Sequence, residues 1–200
     1  MPAELINKKI EEILRMSPEE VKDALPLALD EIGKYGIEKT LEEVPDLLSK
    51  IMKKLIEVDA AKLLSEAPEV SNKFMDLLWE GVNVLTVKSK ELISELESER
   101  LISVLEKTGQ INVNIEASDS PLTAHFTISR GKISGGSGLL HFKDQDFRFH
   151  GPTQILIRLL NDELALGYSN PELMTDGHPG FAPFVSPIVR SISKLIKGKQ

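Results

Sequence analysis

The hydrophobic period of the chain changes at Gly109, and this change constrains the fold more than any other feature. Before Gly109 apolar residues recur every three or four positions, as on one face of a helix. After it, Ile111, Val113 and Ile115 alternate with polar residues, as in a strand with one buried face. Further helical patterns close the sequence. This order predicts an α+β protein in which an all-helical N-terminal module precedes a sheet covered by helices.

The composition divides at the same place. The 200 residues carry a formal net charge of −7, and the acid excess lies almost wholly before Gly109, whereas all four histidines and most of the 13 glycines lie at or after it. An acidic module does not suit nucleic acid, because phosphate contacts need lysine and arginine. The absence of cysteine excludes disulfides and thiol chemistry. With neither a secretory leader nor about 18 consecutive apolar residues, we expect a cytoplasmic protein.

Capping signals divide the first part of the chain into helices. The segment Ser17–Glu20 forms a capping box that begins the second helix, and the segment Gly33–Gly36 ends it. The pattern then predicts a third helix with a bend at Pro45. From about Glu69 the apolar spacing predicts one long helix that ends at Gly109.

An apolar seam on the predicted third helix allows two interpretations. Its residues are spaced alternately by four and three positions: Ile37, Leu41, Val44, Leu48, Ile51 and Leu55. The seam packs within its own module, or it binds a helix of a second copy or of a protein partner. The acidic clusters near it, such as Glu42 and Glu43, are interpreted as solvated faces, because the module has no histidine to complete a metal site.

The alternating pattern predicts four strands in the second part. The first two lie at residues 111–116 and 122–129, the third begins after a turn at Gly131 and extends to Phe142, and the fourth is Phe147–His150. We expect these four strands to form an antiparallel meander.

Two helices and a fifth strand are predicted after the meander. One helix begins at Pro152, and Leu164–Leu166 continues it or begins a short second one. A short strand lies within Glu172–Gly177, and an amphipathic helix begins at Pro183 or Pro187 and ends at a cap at Gly198. The predicted sheet is therefore five-stranded and mostly antiparallel.

The glycine-rich segment Ser134–Gly138 has the composition of a phosphate-binding loop but not its context. Strand-like residues flank it on both sides, and no Lys-Ser or Lys-Thr pair follows. We interpret it as a strand with a bulge, or as glycines that leave room for a ligand or another backbone.

The histidines do not form a recognisable catalytic or metal motif. His125, His141 and His150 fall on the polar phase of predicted strands, and His178 lies in a Gly-His-Pro-Gly loop. They are exposed strand residues or, alternatively, a three-histidine metal site, but no HxH or HExxH spacing supports a metal. No GxSxG elbow presents a serine nucleophile. We therefore expect no metal, no cofactor and no enzymatic activity.

The last predicted helix is basic on one side. From Gly177 to the end the chain has no acidic residue, and Arg190, Lys194 and Lys197 accompany a strongly apolar face. The helix either covers the sheet with its basic residues in water or docks transiently on an anionic membrane surface.

Four segments after Gly109 follow the order of a known domain: Phe126–Ile133, Asp146–Phe149, Leu156–Leu164 and Leu173–Gly177. With these segments the second part resembles the sterol carrier protein domain of nonspecific lipid-transfer proteins. The resemblance covers about half of the chain if the helical stretch before Gly109 serves as the first helix of that domain. It therefore implies a helical module at residues 1–90 and a sterol-carrier-like domain at residues 91–200.

The resemblance implies a five-stranded sheet backed by helices, with an apolar tunnel between them and no chemistry of its own. The residues expected to line such a cavity are Phe126, Ile128, Phe147, Phe149, Leu156, Leu160, Phe181, Phe184 and Ile188. The same residues would also build a filled core, and the sequence does not separate the two.

Two functions follow from these observations. In the first, the protein is a non-catalytic carrier of an apolar ligand, such as a lipid, a fatty acyl chain or acyl-CoA, a sterol or an isoprenoid-like molecule. In the second, it is a structural or interaction protein with a solid core, and its acidic helices bind a protein partner or a second copy.

Overall fold

The computed structural model describes residues 3–161, 163 and 170–197. A helical N-terminal part is followed by a five-stranded sheet with helices, which confirms the predicted α+β class. In the described part of the chain, eight helices precede the sheet: α1 (Ala3–Arg15), α2 (Pro18–Tyr35), α3 (Ile37–Glu43), α4 (Leu47–Glu57), α5 (Ala60–Glu66), α6 (Pro68–Thr86), α7 (Lys90–Leu96) and α8 (Glu99–Thr108). The predictions for Leu164–Leu166 and Gly198 fall outside the described residues.

The sheet contains the five strands β1 (Ile111–Ala117), β2 (Thr123–Ser129), β3 (Lys132–Ser137), β4 (Phe147–Gly151) and β5 (Met174–Gly177). Helix α9 (Thr153–Leu160) lies between β4 and β5 in sequence, and α10 (Ala182–Ile196) follows β5. The strand order is β3-β2-β1-β4-β5.

Two predicted helices were too long. The third predicted helix is two helices, α3 and α4, because Val44 precedes a proline and adopts an extended φ of −131°, which ends α3. The predicted helix from Glu69 to Gly109 is three helices, α6, α7 and α8. Ser89 begins α7 by accepting a 3.2 Å hydrogen bond from the Leu92 amide, and Ser98 precedes α8.

The apolar seam of α3 and α4 packs inside the chain. All six of its residues are buried, and they belong to one continuous hydrophobic cluster. The interpretation of the seam as packing within the fold is therefore confirmed.

The four-stranded antiparallel meander was wrong at its last strand. Strands β1, β2 and β3 form antiparallel neighbours, but β4 lies on the other side of β1 and parallel to it, with Val113 opposite Phe147. Since β5 pairs antiparallel with β4, three of the four pairings are antiparallel, as predicted for the sheet as a whole. The third strand was also predicted too long, because β3 ends at Ser137 and not at Phe142.

The crossover between β3 and β4 explains the parallel pairing. Residues 138–146 pass over the polar face of the sheet, where the Asn114 side chain donates to the Leu140 carbonyl (3.1 Å) and accepts from the Leu140 amide (2.9 Å). Asn112 donates to the Asp144 carbonyl at 2.7 Å. These two buried asparagines hold the crossover against β1, and the chain then enters β4 on the far side of β1.

The opposite face of the sheet is apolar and packs on helices. Its buried residues alternate along β1, β2 and β4: Ile111, Val113, Ile115, Ala124, Phe126, Ile128, Phe147 and Phe149. Helices α6 and α9 cover parts of this face, and α10 packs on both of them and on α7.

Packing crosses the predicted division at residue 90. The Ser49 hydroxyl of α4 donates to the Asn161 side chain (3.1 Å), and the Gln154 amide of α9 donates to the Val58 carbonyl (3.2 Å) after α4. The hydrophobic cluster likewise contains buried residues from both sides of that division.

The start of α9 depends on a residue from a distant turn. Oδ1 of Asp119, between β1 and β2, accepts hydrogen bonds from the Thr153 amide (2.8 Å) and hydroxyl (2.6 Å). Because Thr153 is fully buried, Asp119→Ala should lower the free energy of unfolding by about 1 kcal/mol in urea denaturation. Asp119→Asn keeps a hydrogen-bond acceptor and should lower the free energy of unfolding by less than Asp119→Ala does. Equal stability of the alanine variant and the wild type would contradict this role.

Candidate ligand-binding groove

An open groove of about 770 Å³ lies between the α7–α8 corner and the first half of α10, and we call it the α8–α10 groove. Small-molecule sites typically occupy roughly 300–1,000 Å³. Its apolar lining residues are Leu101, Pro183, Phe184, Pro187 and Ile188. Its charged lining residues are Glu95, Glu99 and Arg100, and the remaining ones are Ser98, Ser103 and Gly180.

The α10 wall of the groove follows from the sequence of its first two turns. Pro187 and Ile188 follow Phe184 by three and four residues, so both lie on the same face of the helix as Phe184. Pro183 lies in the first turn, where a proline begins a helix without loss of a hydrogen bond. Pro187 has no amide hydrogen to donate to the carbonyl of Pro183, four residues earlier. The wall is therefore apolar, and the carbonyl of Pro183 lacks the donor that a helix usually supplies four residues later.

The α8 wall of the groove is built by an amphipathic helix. Leu101 and Leu105 are one turn apart and buried, which fixes the face that α8 turns to the core. Ser103 is exposed and lies in the groove, as does Arg100 at the start of the helix. The groove thus has an apolar base at Leu101 and a polar rim on the α8 side.

The structure separates the nine predicted cavity residues into two sets. Six side chains of the sheet and of α9 are buried in the core: Phe126, Ile128, Phe147, Phe149, Leu156 and Leu160. Phe181 and Phe184 are half-buried at the start of α10, and Ile188 is buried one turn further on. Of the nine, Phe184 and Ile188 line the α8–α10 groove.

A tryptophan of the helical module occupies the space beside Phe126. The rings of Trp79, from α6, and Phe126 lie 5.2 Å apart between centroids. A Cβ atom on Gly135 would lie 2.5 Å from Cδ2 of Trp79. The glycine-rich strand β3 therefore leaves room for an indole ring and for the backbone of β2 at His125, where a Cβ on Gly135 would lie 2.6 Å from the carbonyl oxygen. The alternative of room for another backbone is thus confirmed, and the alternative of a bulge was wrong, because the pairing with β2 runs without one.

The apolar face of the sheet reaches solvent at its β5 end. Thr175 pairs with Phe149 and Gly177 pairs with Phe147, so both lie on the apolar face, yet all four residues of β5 are exposed. Phe181 is only half-buried there. Gly180, which follows β5, lines the α8–α10 groove, so the groove opens beside this part of the sheet.

The basic residues of α10 lie apart from its apolar face. Arg190 is exposed, Lys197 is half-buried, and the Lys194 ammonium group forms a 2.6 Å ion pair with Glu91 of α7. The apolar residues of the helix, such as Val185 and Ile192, are buried in the core. In this arrangement α10 presents charged groups to solvent and keeps its apolar face covered. No described helix is long and apolar enough to cross a membrane.

The histidines do not converge in the described part of the chain. Nδ1 of His125 donates a 3.1 Å hydrogen bond to the Gly138 carbonyl. His141 was predicted to lie in a strand, but it lies in the crossover. Nδ1 of His150 is buried and has no hydrogen-bond partner among the residues that the structure describes. Among residues 3–161, 163 and 170–197 no three His, Cys, Asp or Glu side chains are placed to hold a metal ion.

Sequence reasoning missed the α8 side of the groove. Leu101 and Ser103 lie in a stretch that was assigned to one long helix, so no corner was expected before them. The signal that could have revealed this corner is Ser98 followed by Glu99, a serine cap with an acidic residue in the first helical turn.

The sequence matches no protein-family model and no curated protein. The fold and the groove therefore define the molecule only as an α+β protein with an apolar groove, and the resemblance to sterol carrier protein domains stays an interpretation of the sequence.

Proposed function

We propose that this protein is a non-catalytic, cytoplasmic carrier that binds an apolar ligand in the α8–α10 groove. The observation that carries the proposal is the groove itself, about 770 Å³ in volume, with Leu101, Phe184 and Ile188 in its walls. The resemblance to sterol carrier protein domains supports the same function, with a lipid, acyl chain, sterol or isoprenoid-like molecule as the ligand class.

Sequestration of the apolar chain is the proposed mechanism. Moving a CH₂ group from water to an apolar wall contributes about 0.8 kcal/mol. A chain of modest length therefore offsets the cost of ordering and still binds with micromolar affinity. The half-buried Phe184 and the prolines of α10 offer this surface with few rotatable bonds, so little side-chain entropy is lost on binding.

Native mass spectrometry of protein purified without added lipid tests the proposal. We expect a population with the extra mass of an acyl or isoprenoid species, and uptake of a fluorescent fatty acid after delipidation. The same preparation unfolded in urea serves as the control and should take up no probe. A clean ligand-free mass together with no uptake by the folded protein would overturn the carrier function.

Self-association through the acidic helices is the second candidate, and an exposed leucine favours it. Leu27 of α2 is 65% exposed, beside a shallow groove between α1 and α2 that includes Ile13 and Met16. Burial of such residues against a second copy would contribute through the hydrophobic effect. Sedimentation velocity should then show a dimer that Leu27→Glu dissociates. A wild-type monomer at all concentrations would contradict this alternative.

A further inference from the structure

A second pocket, of about 370 Å³, lies further along α10, and we call it the lysine pocket. Three lysines line it, Lys88 and Lys90 at the α6–α7 turn and Lys194 on α10. The rest of its wall is Ser89, Glu91, Ser191 and Leu195.

The lysine pocket and the α8–α10 groove follow one another along a single helix face. On α10 a step of three or four positions separates each of these residues from the next: Phe184 and Ile188 in the groove, then Ser191 and Lys194 in the pocket. On α7, Glu91 lines the pocket and Glu95, one turn later, lines the groove. At 1.5 Å per residue, the two cavities are centred about 10 Å apart along α10.

The charges of the two cavities differ in sign. The groove has two carboxylates, Glu95 and Glu99, against one guanidinium, Arg100, so it disfavours an anion. The lysine pocket has three ammonium groups against the one carboxylate of Glu91.

The ammonium groups of the pocket remain accessible. Lys90 is exposed and forms no ion pair within the described residues, and Lys88 is exposed with only a 3.4 Å contact to Glu42. Lys194 is half-buried against Glu91. Ser191 adds a hydroxyl group to the wall although the residue is 4% exposed. Several donors around a small space suit an anion with several acceptor oxygens.

We propose that the lysine pocket binds a phosphate-bearing head group of the same amphiphile whose apolar chain lies in the α8–α10 groove. This inference rests on the proposed carrier function. A phosphate monoester has nearly two negative charges and three acceptor oxygens, which match the three lysines better than a carboxylate or a hydroxyl group does. The ligand class is therefore an alkyl or isoprenyl phosphate, or a lipid with a terminal phosphate.

The test compares three probes by calorimetric titration: dodecyl phosphate, dodecanol and inorganic phosphate. We expect dodecyl phosphate to bind about tenfold more tightly than dodecanol, because charge-assisted hydrogen bonds add to the affinity of the chain. The double variant Lys88→Gln/Lys90→Gln should remove this preference without weakening dodecanol. The matched control Lys8→Gln/Lys53→Gln changes two exposed lysines that line neither cavity, and it should retain the preference.

A variant with gained affinity makes the test independent of folding defects. Glu91→Gln removes the carboxylate that pairs with Lys194, and it should tighten dodecyl phosphate several-fold while dodecanol is unchanged. Equal affinity of the wild type for both dodecyl probes would overturn the head-group site and leave the carrier function intact. Inorganic phosphate that binds as tightly as dodecyl phosphate would overturn the link between the two cavities. Failure of both dodecyl probes to bind would instead overturn the carrier function.

Discussion

Replacing Gly135 with alanine is expected to lower the free energy of unfolding by about 3 kcal/mol, the cost of overpacking a tight core. The added Cβ would lie 2.5 Å from Cδ2 of Trp79 and 2.6 Å from the His125 carbonyl oxygen. The indole ring could move, but a backbone carbonyl within a sheet cannot do so without breaking its pairing. Since the chain has one tryptophan, its fluorescence reports directly on this contact during urea denaturation.

Gly136→Ala is the matched control for this prediction. The residue is the next one in β3, and its added Cβ would meet the His125 ring and Asp76 only at 3.6 Å and 3.7 Å, which is ordinary contact. We expect its stability to stay within about 0.5 kcal/mol of the wild type. Equal effects of the two substitutions would contradict the view that Trp79 packs directly on Gly135.

Replacing Ser103 with tryptophan is expected to weaken fatty acid binding at least about tenfold, because its indole would fill space that the ligand needs. Ser103 is exposed on α8 and lines the α8–α10 groove, so a large side chain at this position lies either in the groove or in solvent. The change should leave the free energy of unfolding within about 0.5 kcal/mol of the wild type, as for most surface substitutions.

The control for the groove variant is Ser65→Trp. Ser65 is also an exposed helical serine, on α5, and it does not line the α8–α10 groove. Titration with a fluorescent fatty acid should give the wild-type affinity for Ser65→Trp and a weakened one for Ser103→Trp. The same affinity for both variants would exclude the α8–α10 groove as the binding site.

The local structure of the chain was predictable where the signal lies in neighbouring residues. The capping box forms as expected, with the Ser17 amide donating to the Glu20 carboxylate at 2.8 Å, and the second helix begins at Pro18. The alternation of Phe126 and Ile128 placed the buried face of β2 correctly. These features depend on periods and caps within a few residues of each other.

The arrangement of the elements was less predictable, because it depends on contacts between distant residues. The parallel pairing of β1 and β4 follows from a crossover held by Asn112 and Asn114, two residues that the sequence presented only as polar alternates in a strand. Trp79 and Gly135 are likewise 56 positions apart in the sequence. The helical pattern around Trp79 and the strand pattern around Gly135 therefore do not predict that the two residues are in contact.

The sequence predicted only some of the residues that line the candidate site, because the site also depends on contacts between distant parts of the chain. Phe184 and Ile188 were expected to line a cavity between the sheet and the helices, and in the structure they line the α8–α10 groove instead. Leu101 completes the groove from α8. It lies there because the chain turns at Ser98 between α7 and α8, and the spacing of the apolar residues does not reveal this turn. The lysine pocket needs Lys88 and Lys194 together, and only the packing of α7 against α10 brings them to one cavity.

The most direct test of the carrier function is to locate the ligand by methyl NMR with a spin-labelled fatty acid. Methyl signals of Leu101 and Ile188, which line the α8–α10 groove, should broaden, while those of Ile6 and Val21 in the helical module should not. Broadening confined to Val113 and Ile128 would place the ligand under the sheet instead. No broadening at any methyl group, with the fatty acid in excess, would contradict the account that this protein binds an apolar ligand.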